Sequence, residues 1–130
     1  MKEPTNTKPV VLIVDDSDEY RCALRAWLQM KGYDVIEAAD GDEASVNASK
    51  SLPDLILMDI AMPARSGISA AYKIRKNPSL LEIPIVAVTG FTAEDLHEEA
   101  LKAGCLETLA KPLDLSYLEN LLQRLLGGRS

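Results

Sequence analysis

The sequence predicts a single α/β domain on one open, doubly wound, five-stranded parallel sheet, and three observations carry that prediction. Short β-rich runs alternate five times with stretches of helical periodicity. The first run, Val10 to Val14, is continuous, apolar and β-branched, as a strand covered on both faces must be. The connections are short, and the 130 residues contain no linker, low-complexity tract or internal repeat. Parallel strands need right-handed crossovers, and five βα units are too few to close an eight-stranded barrel.

The first strand is Val10-Val11-Leu12-Ile13-Val14, following a polar arm over residues 1–8. Tyr20, Leu24, Trp27 and Leu28 then fall at i, i+4, i+7 and i+8, one apolar helical stripe. Ser17 is its expected N-cap, Asp18 and Glu19 suit the positive end of the dipole, and Gly32 stops it. A second strand reads Tyr33 to Ala38. Asp40 caps the next helix, with Glu43 completing a capping-box-like pair. Its inner face, Ala44, Ala48 and Leu52, is small and its serines are weak helix formers, so it is expected to pack least firmly. Pro53 closes it before a third strand, Asp54 to Asp59.

A loop over Ile60 to Arg65 leads to a helix from Ser66 to Asn77, with Pro78 beyond its end. The fourth strand is Ile83 to Thr89, its Pro84 tolerable near the start. Thr92 caps a helix to Ala103, and Gly104 ends it. A short fifth strand, Leu106 to Leu109, runs into Lys111-Pro112. The last helix carries Leu115, Leu118, Leu121, Leu122 and Leu125, and residues 127–130 form a tail.

Composition narrows the function classes. Fourteen Lys plus Arg against twenty Asp plus Glu give a net charge of −6, which argues against direct contact with nucleic acid or an anionic membrane. No apolar run reaches a membrane span and the start, MKEPTNTK, is not a signal peptide, so a cytoplasmic location is expected. Two cysteines are too few for a disulfide framework.

Open α/β sheets bind their ligands at the carboxyl ends of the strands. There the sequence puts Asp15 and Asp16, Asp59, Thr89 and Lys111. Three gathered carboxylates repel unless a cation neutralises them, and a donor set of oxygens alone points to a hard divalent ion such as Mg²⁺. Divalent ion, ammonium and hydroxyl around a carboxylate make a receptacle for a phosphoryl group, with Asp59 as in-line nucleophile. Taken singly, each residue has a plain reading as cap, turn or strand end; their joint placement is what argues for a site.

The chain resembles the receiver domain of two-component response regulators from about Pro9 to Leu126, through VLIVDDSDEY, ADGDEA, LPDLILMDIAMP, PIVAVTGF and KAGCLETLAKPLD. The resemblance implies a flavodoxin-like (βα)5 fold, with strand order 2-1-3-4-5 and the first and fifth helices on one face. It implies a phosphoacceptor that assists its own phosphorylation and dephosphorylation, not an enzyme in the ordinary sense. Asp59 takes phosphate from a histidine of a sensor kinase or phosphotransfer protein in this reading. Asp16, Asp15 (through water), Asp59 and the Ala61 backbone carbonyl hold Mg²⁺. Thr89 and Lys111 hold the phosphoryl oxygens, the Lys111–Pro112 bond is cis, and the surface of the fourth helix, fifth strand and fifth helix switches a downstream partner. Two other classes are the alternatives: a phosphate-independent receiver-like interaction domain, and a phosphohydrolase for which Asp16-Ser17-Asp18 copies an Asp-x-Asp start.

Two positions depart from the family. Where it has Tyr or Phe three residues before the lysine, this chain has Thr108, too small to fill the volume of a ring that moves inward. The resemblance therefore does not carry that route of transmission over. Ala61 stands where many members have a polar or long side chain near the attacking water, and Phe91 lies across the same mouth, so a long-lived phosphoryl state is expected. Other conspicuous residues take plain readings: Trp27 as core, Cys22 and Cys105 as buried or half-buried thiols, His97 and the Lys73-Ile74-Arg75-Lys76 run as solvated helix residues.

Overall fold

The computed structural model describes residues 8–63, 66–90 and 94–127. Its elements are β1 (Val10–Val14), α1 (Asp18–Met30), β2 (Asp34–Ala38), α2 (Gly41–Ser51), β3 (Leu55–Asp59), α3 (Ser66–Arg75), a 3-10 turn at Pro78–Leu80, β4 (Ile85–Thr89), α4 (Glu94–Lys102), β5 (Glu107–Ala110) and α5 (Leu115–Leu126). All neighbouring strands are parallel and the order is β2-β1-β3-β4-β5, as expected. The winding reverses between β1 and β3, which places a crevice at their carboxyl ends.

Strand alternation divides the core in two. On one face Val11 and Ile13 of β1 join Leu55, Leu57 and Val86, covered by Leu24 and Leu28 of α1 and Leu118, Leu121 and Leu122 of α5. On the other, Leu12, Val14, Ile56, Met58 and Ile85 lie under α2, α3 and α4. Register then aligns the strand ends. Val14 pairs with Met58, Asp59 with Val88, and Thr89 with Ala110. Asp15, Asp59, Thr89 and Lys111 thus emerge along one edge.

The expected caps at Ser17 and Asp40 form, with one change of partner. Ser17 Oγ accepts from Tyr20 N at 3.1 Å and Asp40 Oδ1 from Glu43 N at 2.9 Å. Glu43 reaches back one residue further than a simple capping box, to Ala39 N at 2.7 Å. The Lys111–Pro112 peptide is cis. The Thr92 cap, Phe91 and the end of the Ile60–Arg65 loop lie outside the described residues.

Several expectations are corrected. Leu52 is not on the inner face of α2: it ends the helix in a left-handed conformation, φ 48°, and is 54% exposed. Gly41 brings the start of α2 close to α3, since a Cβ there would lie 2.3 Å from the Ser66 carbonyl oxygen, and Ala44 and Ala48 of the inner face are fully buried. Helix α3 stops at Arg75, two residues early, since the chain turns into the Pro78–Leu80 segment. Leu115 is exposed at the first turn of α5, and Leu126 takes a place in the core. Trp27 is only half-buried, at the rim of the core. Cys22 is exposed on the outer side of α1, while Cys105 is buried and its thiol pushed up to about 11.

Candidate functional site

The strand-end register delivers the acids and the lysine to one point. Asp15, one residue past β1, is 2% exposed, and its backbone N–H still bonds the Ala38 carbonyl of β2 at 3.1 Å. Its Oδ1 accepts from Ser17 N at 2.8 Å, which leaves Oδ2 to accept from Lys111 Nζ at 2.8 Å. Asp59, the last residue of β3, is 7% exposed. Its Oδ1 accepts from Ala61 N at 2.8 Å and its Oδ2 from Lys111 Nζ at 3.3 Å. The ammonium therefore bridges the two carboxylates. Lys111 is held there because its own N–H bonds the Thr89 carbonyl at 2.7 Å, tying the end of β5 to the end of β4. Thr89 is buried beside it. Gly67 lets α3 close on the strand end: a Cβ there would lie 2.4 Å from the Asp59 carbonyl oxygen.

Electrostatics show the strain of this arrangement. Burial pushes the Asp59 carboxyl above its ordinary value, the Asp15 charge adds to the rise, and the Ala61 N–H and Lys111 only partly offset it. Burial alone would lower Lys111, yet the two carboxylates outweigh it and hold the ammonium above its ordinary value. Asp15, Asp16 and Asp59 each offer an oxygen, all within 4.8 Å of one another, with Asp16 on the exposed side. Three carboxylates and one ammonium leave surplus negative charge, and a set of carboxylate donors fits a hard divalent cation. Asp16 also borders an open cleft of about 450 Å³ lined by Asp40, Asp42, Met62, Pro63 and Lys73.

The sequence model of the response regulator receiver domain matches residues 11–123. The chain belongs to the response regulator receiver domain family. It is 42% identical over 109 residues to the transcriptional regulatory protein PdtaR of Mycobacterium tuberculosis, a match that takes in 83% of this chain and 52% of that protein. The chain thus spans about half the length of that relative. Among solved structures it is similar to the receiver domain of a Pseudomonas aeruginosa sensor histidine kinase with a magnesium ion coordinated in its active-site cleft. That match has a TM-score of 0.84 and 34% identity, covering 93% of this chain and 99% of that one. It is also similar to a chain of the co-crystal of the Saccharomyces cerevisiae phosphotransfer protein Ypd1 with the receiver domain of the response regulator Ssk1. There the TM-score is 0.80 and identity 30%, over 91% of this chain and 88% of that one.

In this receiver domain the predicted site residues Asp15, Asp16, Asp59, Thr89 and Lys111 sit together at one edge. Ala61 is exposed beside them, its N–H donated to Asp59. Thr108 is half-buried on β5 opposite Ala87, and its hydroxyl has no hydrogen-bond partner among the described residues. His97 is exposed on α4.

Three residues escaped the sequence reading. Tyr20, read only as a stripe residue, presents its ring to Lys111, with Nζ 4.1 Å from the ring centroid. Arg21 donates to the Asp15 carbonyl at 2.6 Å and to Glu37 Oε1 at 3.0 Å, fastening the acidic loop to β2. Arg75, read as solvated, is instead half-buried and donates to the carbonyls of Leu80, Ile83 and Gly104. Spacing could have flagged Tyr20 and Arg21, three and four residues after Ser17 on the first turn facing the site. Nothing in the Lys73–Lys76 charge run distinguished Arg75 from its neighbours.

Proposed function

We propose that this receiver domain is a cytoplasmic phosphorelay module whose Asp59 accepts a phosphoryl group from the phosphohistidine of a sensor kinase or phosphotransfer protein. The observation that carries the reading is the single ammonium of Lys111 shared between Asp15 and Asp59, with Asp16 close by and a hydroxyl-bearing strand end adjacent. An Asp59 oxygen attacks phosphorus as the phosphohistidine P–N bond breaks, and the electron pair stays on the departing imidazole nitrogen. The product is an acyl phosphate. Lys111 and the Thr89 hydroxyl hold the phosphoryl oxygens, and Asp15 keeps Lys111 in reach. Asp15, Asp16, Asp59 and the Ala61 backbone carbonyl are the residues that would hold magnesium. The bound ion would supply positive charge against the carboxylates and the phosphoryl oxygens.

No described helix is long and apolar enough to cross a membrane. The cytoplasmic setting is proposed on that fact and on the kind of donor required.

The test is direct. Incubation with Mg²⁺ and labelled acetyl phosphate or a phosphohistidine donor is expected to label the protein, and Asp59→Asn is expected to abolish the label. Label that survives Asp59→Asn but disappears in Asp16→Asn favours a phosphohydrolase, and no label in the wild type favours a phosphate-independent interaction domain. Position 61 offers a second measurement. A methyl side chain cannot orient water, so Ala61→Asn is expected to lose phosphate several-fold faster, on the order of the 1 kcal/mol a hydrogen bond contributes. Loss equal to or slower than wild type would defeat that expectation.

A further inference from the structure

We propose that Tyr20 is a positioning residue for Lys111, and that its ring passes the charge state of the carboxylate site to the groove between α1 and the start of α5. The inference rests on Asp59 being the phosphoacceptor. Its starting point is the contact of 4.1 Å between the ammonium and the Tyr20 ring. Lys111 has only 23% of its side chain exposed, and among the described residues its ammonium meets two carboxylate oxygens and this ring face. An ammonium sheltered from water is attracted to a ring face more strongly than an exposed one.

The Tyr20 hydroxyl does not fix the ring. It is buried and makes no hydrogen bond among the described residues. The ring is held by packing, since Tyr20 joins the core face of α1, and by the cation above it. A phenol with an unpaired hydroxyl is poorly suited to a purely polar task, so what the residue offers the site is its π face.

The same ring borders a second space. A largely apolar groove of about 190 Å³ is lined by Tyr20, Ala23, Leu24, Trp27, Pro112 and Leu113. Tyr20 thus stands between the ammonium and the groove, and Pro112 follows Lys111 directly in the chain. Thr108, on β5 three residues before Lys111, carries no ring.

Charge explains how the two spaces communicate. Lys111 now sits between the Asp15 and Asp59 carboxylates. Phosphorylation of Asp59 moves negative charge from the carboxylate out to the phosphoryl oxygens, and the ammonium follows it. The ring that packs under the ammonium then changes its place against Trp27, Pro112 and Leu113. Removing the ring leaves Lys111 less firmly placed and admits water on the α1 side.

The chain has one tryptophan, Trp27, in the wall of this groove, so its emission reports the change without labelling. In the intact protein with Mg²⁺, acetyl phosphate is expected to shift Trp27 emission at the rate at which label enters Asp59. Tyr20→Leu is expected to label roughly three- to tenfold more slowly and to lose most of the emission change. Tyr20→Phe keeps the π face and is expected to restore both to within about twofold of wild type. If leucine disturbs the fold by circular dichroism, Tyr20→Met fills the space without a π face and serves in its place.

Wild-type labelling and emission in the leucine or methionine variant would overturn the proposal. So would a phenylalanine variant as impaired as leucine, or a silent Trp27 in labelled wild type. No label in the wild type, or label that persists in Asp59→Asn, would remove the phosphoacceptor reading itself, and this inference with it. Those results are separable from a failure confined to Tyr20.

Discussion

Two sheltered cations sit at opposite ends of the sheet, and their partners differ in kind. At the carboxyl edge Lys111 faces two carboxylates, with a third within reach of both. At the amino edge Arg75 faces carbonyls of Leu80, Ile83 and Gly104, the last also accepting from Nε at 3.2 Å. Lys111 is held above its ordinary pKa because the acids outweigh burial, whereas burial lowers Arg75 and, among the described residues, no carboxylate opposes it. Arg75 matches neutral dipoles and leaves nothing over. It fastens the end of α3 to the α4–β5 turn and the approach to β4. Lys111 is outnumbered, so its end of the sheet keeps an unmet demand for positive charge. A satisfied cation builds the fold; an outnumbered one builds a site.

The largest effect that tests this contrast belongs to Arg75. Arg75→Met removes the guanidinium and its hydrogen bonds to three carbonyls, at a cost of about 3 kcal/mol. Thermal denaturation should show a melting temperature roughly 10 °C lower. Labelling of Asp59 at low temperature should survive, since among the described residues no hydrogen bond or ion pair joins Arg75 to the carboxyl edge. A variant as stable as wild type, or a folded variant that no longer labels, would break the comparison.

A smaller effect of opposite sign is expected at the other end. The Asp59 carboxyl is raised, so the folded state holds its proton more tightly than the unfolded chain does. Stability contributed by this group is therefore lost as pH rises from about 3.9 through the folded value, and the cost is complete above that value. Asp59→Asn removes a charge that the site holds at a cost, and should raise stability at pH 7 by about 1 kcal/mol, or roughly 3–5 °C. At pH 3 the difference should vanish. Millimolar Mg²⁺ should raise the wild type and narrow the gap at pH 7. A less stable Asp59→Asn at neutral pH would mean that Lys111 fully compensates the carboxylate, and the two ends would no longer differ.

The legibility of the molecule follows the same division. Strand existence and order of elements were readable because continuous apolar runs and stripes at helical spacing report burial directly. Helix starts were readable at Ser17 and Asp40 because capping is local chemistry. The strand-end residues were readable because a parallel sheet sends its strand ends to one edge. Leu52 was misplaced because its left-handed cap turns it away from the stripe its spacing suggests. Arg75 was misread because its acceptors are carbonyls of loops 5 to 29 residues away, and carbonyls have no signature in a sequence. Tyr20 was undervalued because its partner lies at the far end of the chain.

By itself the sequence determined the alternation of five strands and five helices, the caps at Ser17 and Asp40, and the chemical types presented at each strand end, since burial periodicity and capping act over a few residues. Tertiary structure alone decided which groups meet. Parallel register set Asp15 beside Asp59, the hydrogen bond of Lys111 N–H to Thr89 carried the ammonium between them, and packing of α1 laid Tyr20 against it. Charge balance at such a point depends on distances between residues far apart in the chain, and only folding fixes those distances.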